Sequence, residues 1–575
     1  MNSVLSWVTR WSAFTVCFIV CDTTHSQVND SKIRFVDITE ASGLSFKHQD
    51  GSDGNRYLIE LMGAGICSFD ADGDGLVDVF MLNGYELTRG GGRNSKDHSS
   101  CKLFRNRGSL TFSDNTIQSG IQIEGYALGV TSGDFNHDGF NDLYVSNYGA
   151  NVLLFNNGDG TFVDVSEESG VQGEGEFGAG VTFLDVNNDG NLDLFVGNYV
   201  EFDFDRHFEL APKAYPYSPG PKDYPPSRDR LFVSNGDGTF QDASKQSGIA
   251  DSAGPSMGVV AADFDDDGDI DIFVACDGAA NLLYVNDGTG KFTEEALFVG
   301  VAFDMRGNAN GGMGVDAADV NGDGLIDLFV TDYSDQFPEL FLNGKPAGVF
   351  EDAARRYQVG LEVYQHVNWG IGLVDLDLDS DFDAFVCNGH LLENAKEIEP
   401  NTSYGVANVV LENIEGRFFR SATKQAGEAL DVTESSRGAA FDDLDNDGDI
   451  DAVILNCDSM NQVLENRQTS SNNWIGIRLV GTNSNRSAVG AKVIVRSNGK
   501  EKTLWKLNGR GYQSFYGERL HIGLGSSISQ GDLPQSVGQI DEIIVYWPGN
   551  KEPTIVRDLG INQYHDIVEP NQIQN

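Results

Sequence analysis

The chain has 575 residues, with 87 acidic against 39 basic side chains and a formal net charge of −48. That excess excludes nucleic acid or an anionic membrane surface as the main partner, since both reward clustered Lys and Arg. Disorder is excluded too, because 40% hydrophobic and 10% aromatic content is too rich for it, and 68 glycines point to short strands joined by tight turns.

The N-terminus carries Arg10, an apolar run over 11–21 and then polar residues. This reads as a signal peptide over 1–26, with small Thr24 and Ser26 before a cleavage site at Gln27, followed by a linker over 27–34. The run is too short to span a bilayer, and no later stretch reaches that length. The expected location is secreted, extracellular or periplasmic. Beyond the signal stand Cys67, Cys101, Cys276, Cys387 and Cys457, an odd number without a Cys-x-x-Cys spacing. They read as buried thiols, with a Cys67–Cys101 bridge as the alternative.

From residue 65 onward one acidic pattern recurs seven times, with starts spaced 51 to 78 residues apart. Its positions one, three, five and nine are Asp70, Asp72, Asp74 and Asp78 in the first copy and Asp134, Asn136, Asp138 and Asp142 in the second. The third has Asp185, Asn187, Asp189 and Asp193; the fourth has Asp263, Asp265, Asp267 and Asp271. The fifth has Asp319, Asn321, Asp323 and Asp327, the sixth Asp375, Asp377, Asp379 and Asp383, and the seventh Asp443, Asp445, Asp447 and Asp451. Five residues before each copy stands a glycine: Gly65, Gly129, Gly180, Gly258, Gly314, Gly370 and Gly438. Each copy continues into an apolar strand, a strand closing on Asn106, Asn156, Asn235, Asn286, Asn343, Asn413 or Asn466, and a glycine-rich turn. A Phe-x-acid strand follows, except in the seventh copy. Four strands per unit, A to D with the acidic loop between A and B, predict an all-β, seven-bladed β-propeller over 35–466. The missing last strand has a spare copy at 35–43, FVDITEASG, so the N-terminal strand should close the ring and remove its open edges.

Oxygen ligands at alternate positions with glycine at the turn suit a hard cation such as Ca²⁺, up to seven of them. An EF-hand is excluded, because its twelfth position needs Glu and here it is Met81, Val145, Val196, Val274, Val330, Val386 or Ile454. The sixth loop has Ser380 where the others have glycine. If that turn needs a positive φ, Ser costs about 1 kcal/mol there, and this loop should bind most weakly.

On these motifs the units resemble the FG-GAP or VCBS repeats of integrin-α-type propellers. Residues 471–570 resemble the ASPIC/UnbV domain, through NRSAVGAKV (485–493), GERLHIGLG (517–525) and VYWPG (545–549), with a tail over 571–575. Together they are similar to the cartilage acidic protein family of secreted proteins and its bacterial relatives. That resemblance implies that the loop carboxylates are Ca²⁺ ligands. Strand-like runs without helical periodicity predict that 471–570 is a small β-sandwich-like domain.

The long interruptions, over 84–100, 199–229 and 389–407, all fall between strands B and C, opposite the acidic loops. Recognition concentrates on such loops. The candidate ligand residues on this face are Tyr215, Tyr217, Tyr224, His366, Trp369 and His390. The expected function is extracellular recognition or adhesion, with a glycan or protein as partner. The alternative is a polysaccharide lyase or other lytic enzyme on a calcium-stabilised propeller. Neither a His-Glu-x-x-His run nor a P-loop is present.

Overall fold

The computed structural model describes residues 31–52, 54–88, 92–93, 100–525, 540–550 and 552–571. The expected signal peptide, half of the linker and part of the first long loop lie outside these residues. The described chain is all-β apart from short helices, and its repeats form small antiparallel four-stranded sheets, consistent with a β-propeller. The second repeat is typical, with strands Tyr126–Gly133, Asp142–Tyr148, Val152–Asn156 and Phe162–Asp164 in sequence order. Strand B is buried along nearly its whole length, as expected when both sheet faces are packed.

The regular spacing of these glycines has a direct steric cause. A Cβ on Gly129 would lie 2.1 Å from the Ala179 carbonyl oxygen, one residue before the glycine of the next sheet. The same relation runs from Gly180 to Met257, Gly258 to Met313, Gly314 to Trp369 and Gly370 to Arg437, at 2.3 to 2.7 Å. Gly438 then meets Ala64 O at 2.7 Å, and Gly65 N donates to Leu128 O at 2.8 Å, returning the order to its start. The spare strand Phe35–Asp37 pairs antiparallel with Gln462–Asn466, placing Phe35 opposite Asn466.

The asparagine ending strand C joins neighbouring sheets. Its side-chain amide donates to a carbonyl in the preceding sheet's acidic loop, as from Asn156 to Ala71 (2.9 Å), Asn343 to Phe264 (2.8 Å) and Asn106 to Leu444 (2.7 Å). In the third repeat this register belongs to Ser234 rather than Asn235. Ser234 N donates to Asp193 at 2.7 Å, as Asn156 N does to Asp142, whereas Asn235 turns to Thr239. The repeat's Ser-Asn pair in place of Asn-Asn accounts for the one-residue shift.

The C-terminal residues form two sheets. Strand Asn473–Val480 lies between antiparallel Leu520–Gly525 and parallel Tyr564–Val568. The second sheet orders Lys500–Trp505, Lys492–Ser497, Ile540–Tyr546 and Thr554–Val556. Between them an arm over 506–517 runs along the innermost strands of the repeats. Asn508 donates to Ser132 O and accepts from Phe183 N, and Gly511 exchanges hydrogen bonds with Val315. Phe515 N donates to Ile66 O, and the Tyr512 hydroxyl reaches Met62 O at 3.0 Å. Arg510 makes a bidentate pair with Asp316 at 2.7 and 2.9 Å, and the Tyr516 hydroxyl donates to the same carboxylate. All five described cysteines are free and buried, so the Cys67–Cys101 bridge does not form. Cys67 faces the arm, bridging to Phe515, while Cys101 lies before the outer strand Lys102–Asn106.

Candidate metal loops and a pocket at the opposite mouth

Each acidic loop is held open by its own backbone. In the second copy, Asp138 N and Gly139 N donate to the two oxygens of Asp134, at 3.1 and 2.8 Å. Phe135 N and Asn156 N donate to the two oxygens of Asp142, which is fully buried. Position nine thus ties the loop to strand C. Positions four and six take left-handed backbone, which is why glycine recurs there. His137, Asp266 and Leu378 occupy position four at φ of 61 to 63°, and Ser380 has φ +83°, so the sixth loop carries two non-glycine residues in this conformation.

Asp70, Asp72 and Asp78 bring one carboxylate oxygen each to within 4.8 Å of one another; so do Asp263, Asp265 and Asp271, Asp375, Asp377 and Asp383, and Asp443, Asp445 and Asp447. In copies two, three and five, position three offers a carboxamide oxygen from Asn136, Asn187 or Asn321 instead. The buried Oδ1 atoms of Asp72, Asp265 and Asp377 have no hydrogen-bond partner. Burial first, then mutual repulsion, raises these carboxyls: Asp78 and Asp193 to about 8, Asp263 and Asp443 to about 7. Clustered, orphaned oxygen donors that resist ionisation fit a hard divalent cation, which would supply the missing positive charge. The first loop differs. Arg105, one residue before the strand-C asparagine, lays its guanidinium against Asp72 and Asp74. At the same register stand Phe155, Val233, Val285, Leu342, Glu412 and Glu465.

The C-terminal sheets cover this acidic face. Gly523 N donates to Asp375 at 2.8 Å, the Tyr564 hydroxyl to Asp443 at 2.7 Å, and Asp134 N to Ser487 Oγ at 3.0 Å. Lys492 pairs with Asp266 and Lys502 with Asp381, both at 2.7 Å. The family-like residues of this region take their roles from docking. Arg519 donates to Asp443 O and lies 4.0 Å over the Tyr564 ring, while His521 stacks on Trp474.

The opposite mouth is irregular. The 199–229 insertion, expected as a loop, contains the helix Phe204–Ala214, started by Asp203 accepting from Arg206 N. Phe202, Phe204, His207 and Phe208 pack edge-on around Tyr57, so most of its aromatics pin the insertion down. Among the expected ligand residues, Tyr215 and Tyr217 are exposed, while Tyr224, Trp369 and His390 are buried. His366 bonds Thr402, and burial lowers its basicity. Trp369 is fixed by Nε1 donating to Gly389 O and by Arg437, 3.9 Å over its ring.

Beside Trp369 lies a cavity of about 340 Å³, lined by Tyr199, Tyr217, Lys222, Asp277, Tyr333 and apolar side chains including Leu58 and Met313. The Tyr199 hydroxyl donates to Asp277 Oδ2 at 2.6 Å. Burial pushes Asp277 up to about 6, against the lowering effects of Tyr199 and Lys222. At the next wall the Tyr333 hydroxyl is 3.2 Å from Glu399 and 3.4 Å from His390 Nε2. Burial works to raise Glu399, but hydrogen bonds from His390, Ser334 and Tyr333 hold it below its ordinary value. Lys222, Asp277 and Tyr333 escape motif reading. The available signal is position: Tyr199, Asp277 and Tyr333 each stand just beyond a strand B, where aligned repeats diverge. A Gly-x-Ser-x-Gly run at 254–258 makes no nucleophile elbow, since Ser256 is fully buried and begins an innermost strand.

The model of the FG-GAP-like repeat matches residues 70–145, 134–196, 223–274 and 263–330, and that of ASPIC and UnbV matches 481–574. Cartilage acidic protein 1 of Xenopus tropicalis is 30% identical over 236 residues, 39% of this chain and 32% of that protein. The Mus musculus and Homo sapiens proteins are each 28% identical over 235 residues, again 39% of this chain. The match thus spans about a third of these relatives' length. Among solved structures, an Agrocybe aegerita lectin that recognises non-reducing terminal N-acetylglucosamine shows 17% identity and a TM-score of 0.37, over 69% of this chain and 87% of the lectin. The exotype rhamnogalacturonan lyase YesX shows 14% identity and a TM-score of 0.35, over 70% of this chain and 61% of the lyase. The chain is thus built of FG-GAP-like repeats followed by an ASPIC and UnbV domain, and is related to cartilage acidic protein 1 over the matched segment.

Proposed function

We propose that the chain is a secreted, calcium-binding recognition protein: a seven-bladed propeller over 35–466, with a sandwich-like C-terminal domain over 471–570. Calcium in the acidic loops is structural, stiffening the hairpins and the seam with the C-terminal domain. The partner, an extracellular glycan or protein, docks on the opposite face. The observation that carries this reading is the asymmetry of the two faces. The acidic loops meet the chain's own C-terminal sheets, whereas the other mouth presents exposed Tyr215 and Tyr217 beside a cavity. Exposed aromatics beside a concave site suit binding. A glycan and extracellular-protein array, screened with and without chelator, tests it. Retention of a ligand class in calcium, lost after Tyr217→Ala, supports the reading, and no retention in either condition sinks it.

A lytic enzyme is the second reading, favoured by one observation: the Tyr333 hydroxyl, held by Glu399 and His390, borders the cavity with Lys222 opposite. A base and a proton donor facing one cleft is what β-elimination requires. Release of unsaturated sugar from any array-positive polysaccharide, abolished by Tyr333→Phe, would establish it over simple binding.

A further inference from the structure

The mouth cavity is lined by one ammonium, Lys222, and two carboxylates, of which Asp223 accepts from Gly220 N and Asp277 is the more buried. Asp277 is 8% exposed, and its Oδ2 takes the Tyr199 hydroxyl, the neutral partner nearest to it. Lys222 rises from the short turn Pro221–Asp223, its stem packed against Gly278, and makes no ion pair among the described residues. Around these two groups the walls are apolar and aromatic, and the volume of about 340 Å³ falls in the range of small-molecule sites. Asp277 is buried with a hydroxyl as its partner, while the exposed Lys222 ammonium stands at the rim of the cleft, so an occupant that carries both charges is matched at both ends. Aromatic rings from Tyr199, Tyr217 and Tyr333 line the same cleft and favour an ammonium at the Asp277 end. A plain cation would face Lys222, and a plain anion would face Asp277.

We propose that this cavity binds a compact zwitterion, with its ammonium between Asp277 and the aromatic rings and its carboxylate at Lys222. The proposal rests on reading this mouth as the ligand-binding face. Calorimetry on the full chain in calcium-containing buffer tests it, with glycine betaine and L-leucine as quaternary and primary zwitterions. Choline and isovalerate serve as the cation-only and anion-only controls. At least one zwitterion is expected to bind about tenfold or more tighter than either control, a margin of about 1.4 kcal/mol. Asp277→Asn should weaken it at least about tenfold, and Lys222→Met should bring choline level with betaine. Because Lys222 lies on the surface insertion, its variant should melt like the parent, which separates binding from folding. The inference is overturned if neither zwitterion binds, if singly charged compounds bind as tightly, or if Lys222→Met leaves the preference intact. Array ligands retained without zwitterion binding overturn this inference alone; loss of both overturns the reading of the mouth as well.

Discussion

The two faces of the repeat array are built from the same four-stranded units and do opposite things with them. On one face every repeat presents the same loop, held by the same hydrogen bonds, and the C-terminal sheets cover the set. On the other the repeats diverge: comparable points beyond strand B carry Tyr199, Asp277, Tyr333, Gly389 and Cys457. Repetition therefore marks the scaffold, and departure from repetition marks the surface available for a partner. This is the division expected where a rigid frame carries variable loops.

Chelation should act hardest on this contrast. Stripping divalent cations is expected to lower the thermal midpoint by more than about 10 °C, since each site occupied at about 100 times its Kd contributes roughly 2.7 kcal/mol. Tyr217→Ala, on the other face, should leave the midpoint unchanged. Equal effects would erase the distinction between scaffold and surface. Next in size is the arm. Arg510→Met strands the buried Asp316 carboxylate and should cost about 3–5 kcal/mol in denaturant melts, with part regained by adding Asp316→Asn. A loss under about 1 kcal/mol would reduce the arm to filler.

A pH titration probes the mouth side. Burial and the adjacent carboxyl raise Glu339 well above the carboxylate range, and burial pushes Asp332 up to about 7. Raised folded values mean that the stability these groups provide is present in acid and lost as pH climbs through about 7. Stability should fall from about pH 4, where the unfolded carboxyls ionise, through about pH 7, and Glu339→Gln should flatten that slope; an unchanged slope would place its cause elsewhere. The smallest effect belongs to Ser380→Gly, which relieves φ +83° and should add about 1 kcal/mol while tightening the sixth loop toward calcium.

The sequence shows most clearly what is local and periodic. The glycine before each acidic loop, the aspartates at fixed offsets and the spare strand at 35–43 each recur, and each has one steric or hydrogen-bonding cause. Ser234 shows the limit of that reading, since a single Asn→Ser exchange shifted the apparent register by one residue. The arm was illegible for a different reason. Asn508, Arg510 and Tyr512 each make a contact that occurs once, hundreds of residues away, and no spacing announces it. The burial of Trp369 is likewise set by Arg437 and by Tyr512 of the arm, and His390 is buried beside Tyr333 and Glu399. No helix among the described residues is long and apolar enough to cross a membrane, in line with the absence of such a run in the sequence.

The pairing of Phe35 with Asn466 also sets a timetable. At about 5–20 residues per second, a ribosome needs roughly 20–90 s to make the partner of a strand it has already released. Throughout that interval the seventh sheet does not exist and the first strand has nothing to pair with. The arm is made later still, so the innermost strands stay uncovered until residues 506–517 are synthesised. A nascent chain of this design is vulnerable to aggregation or cleavage at its start for as long as its end is unmade. A helper that shields residues 31–46 until release would raise the yield more than one acting on any interior repeat.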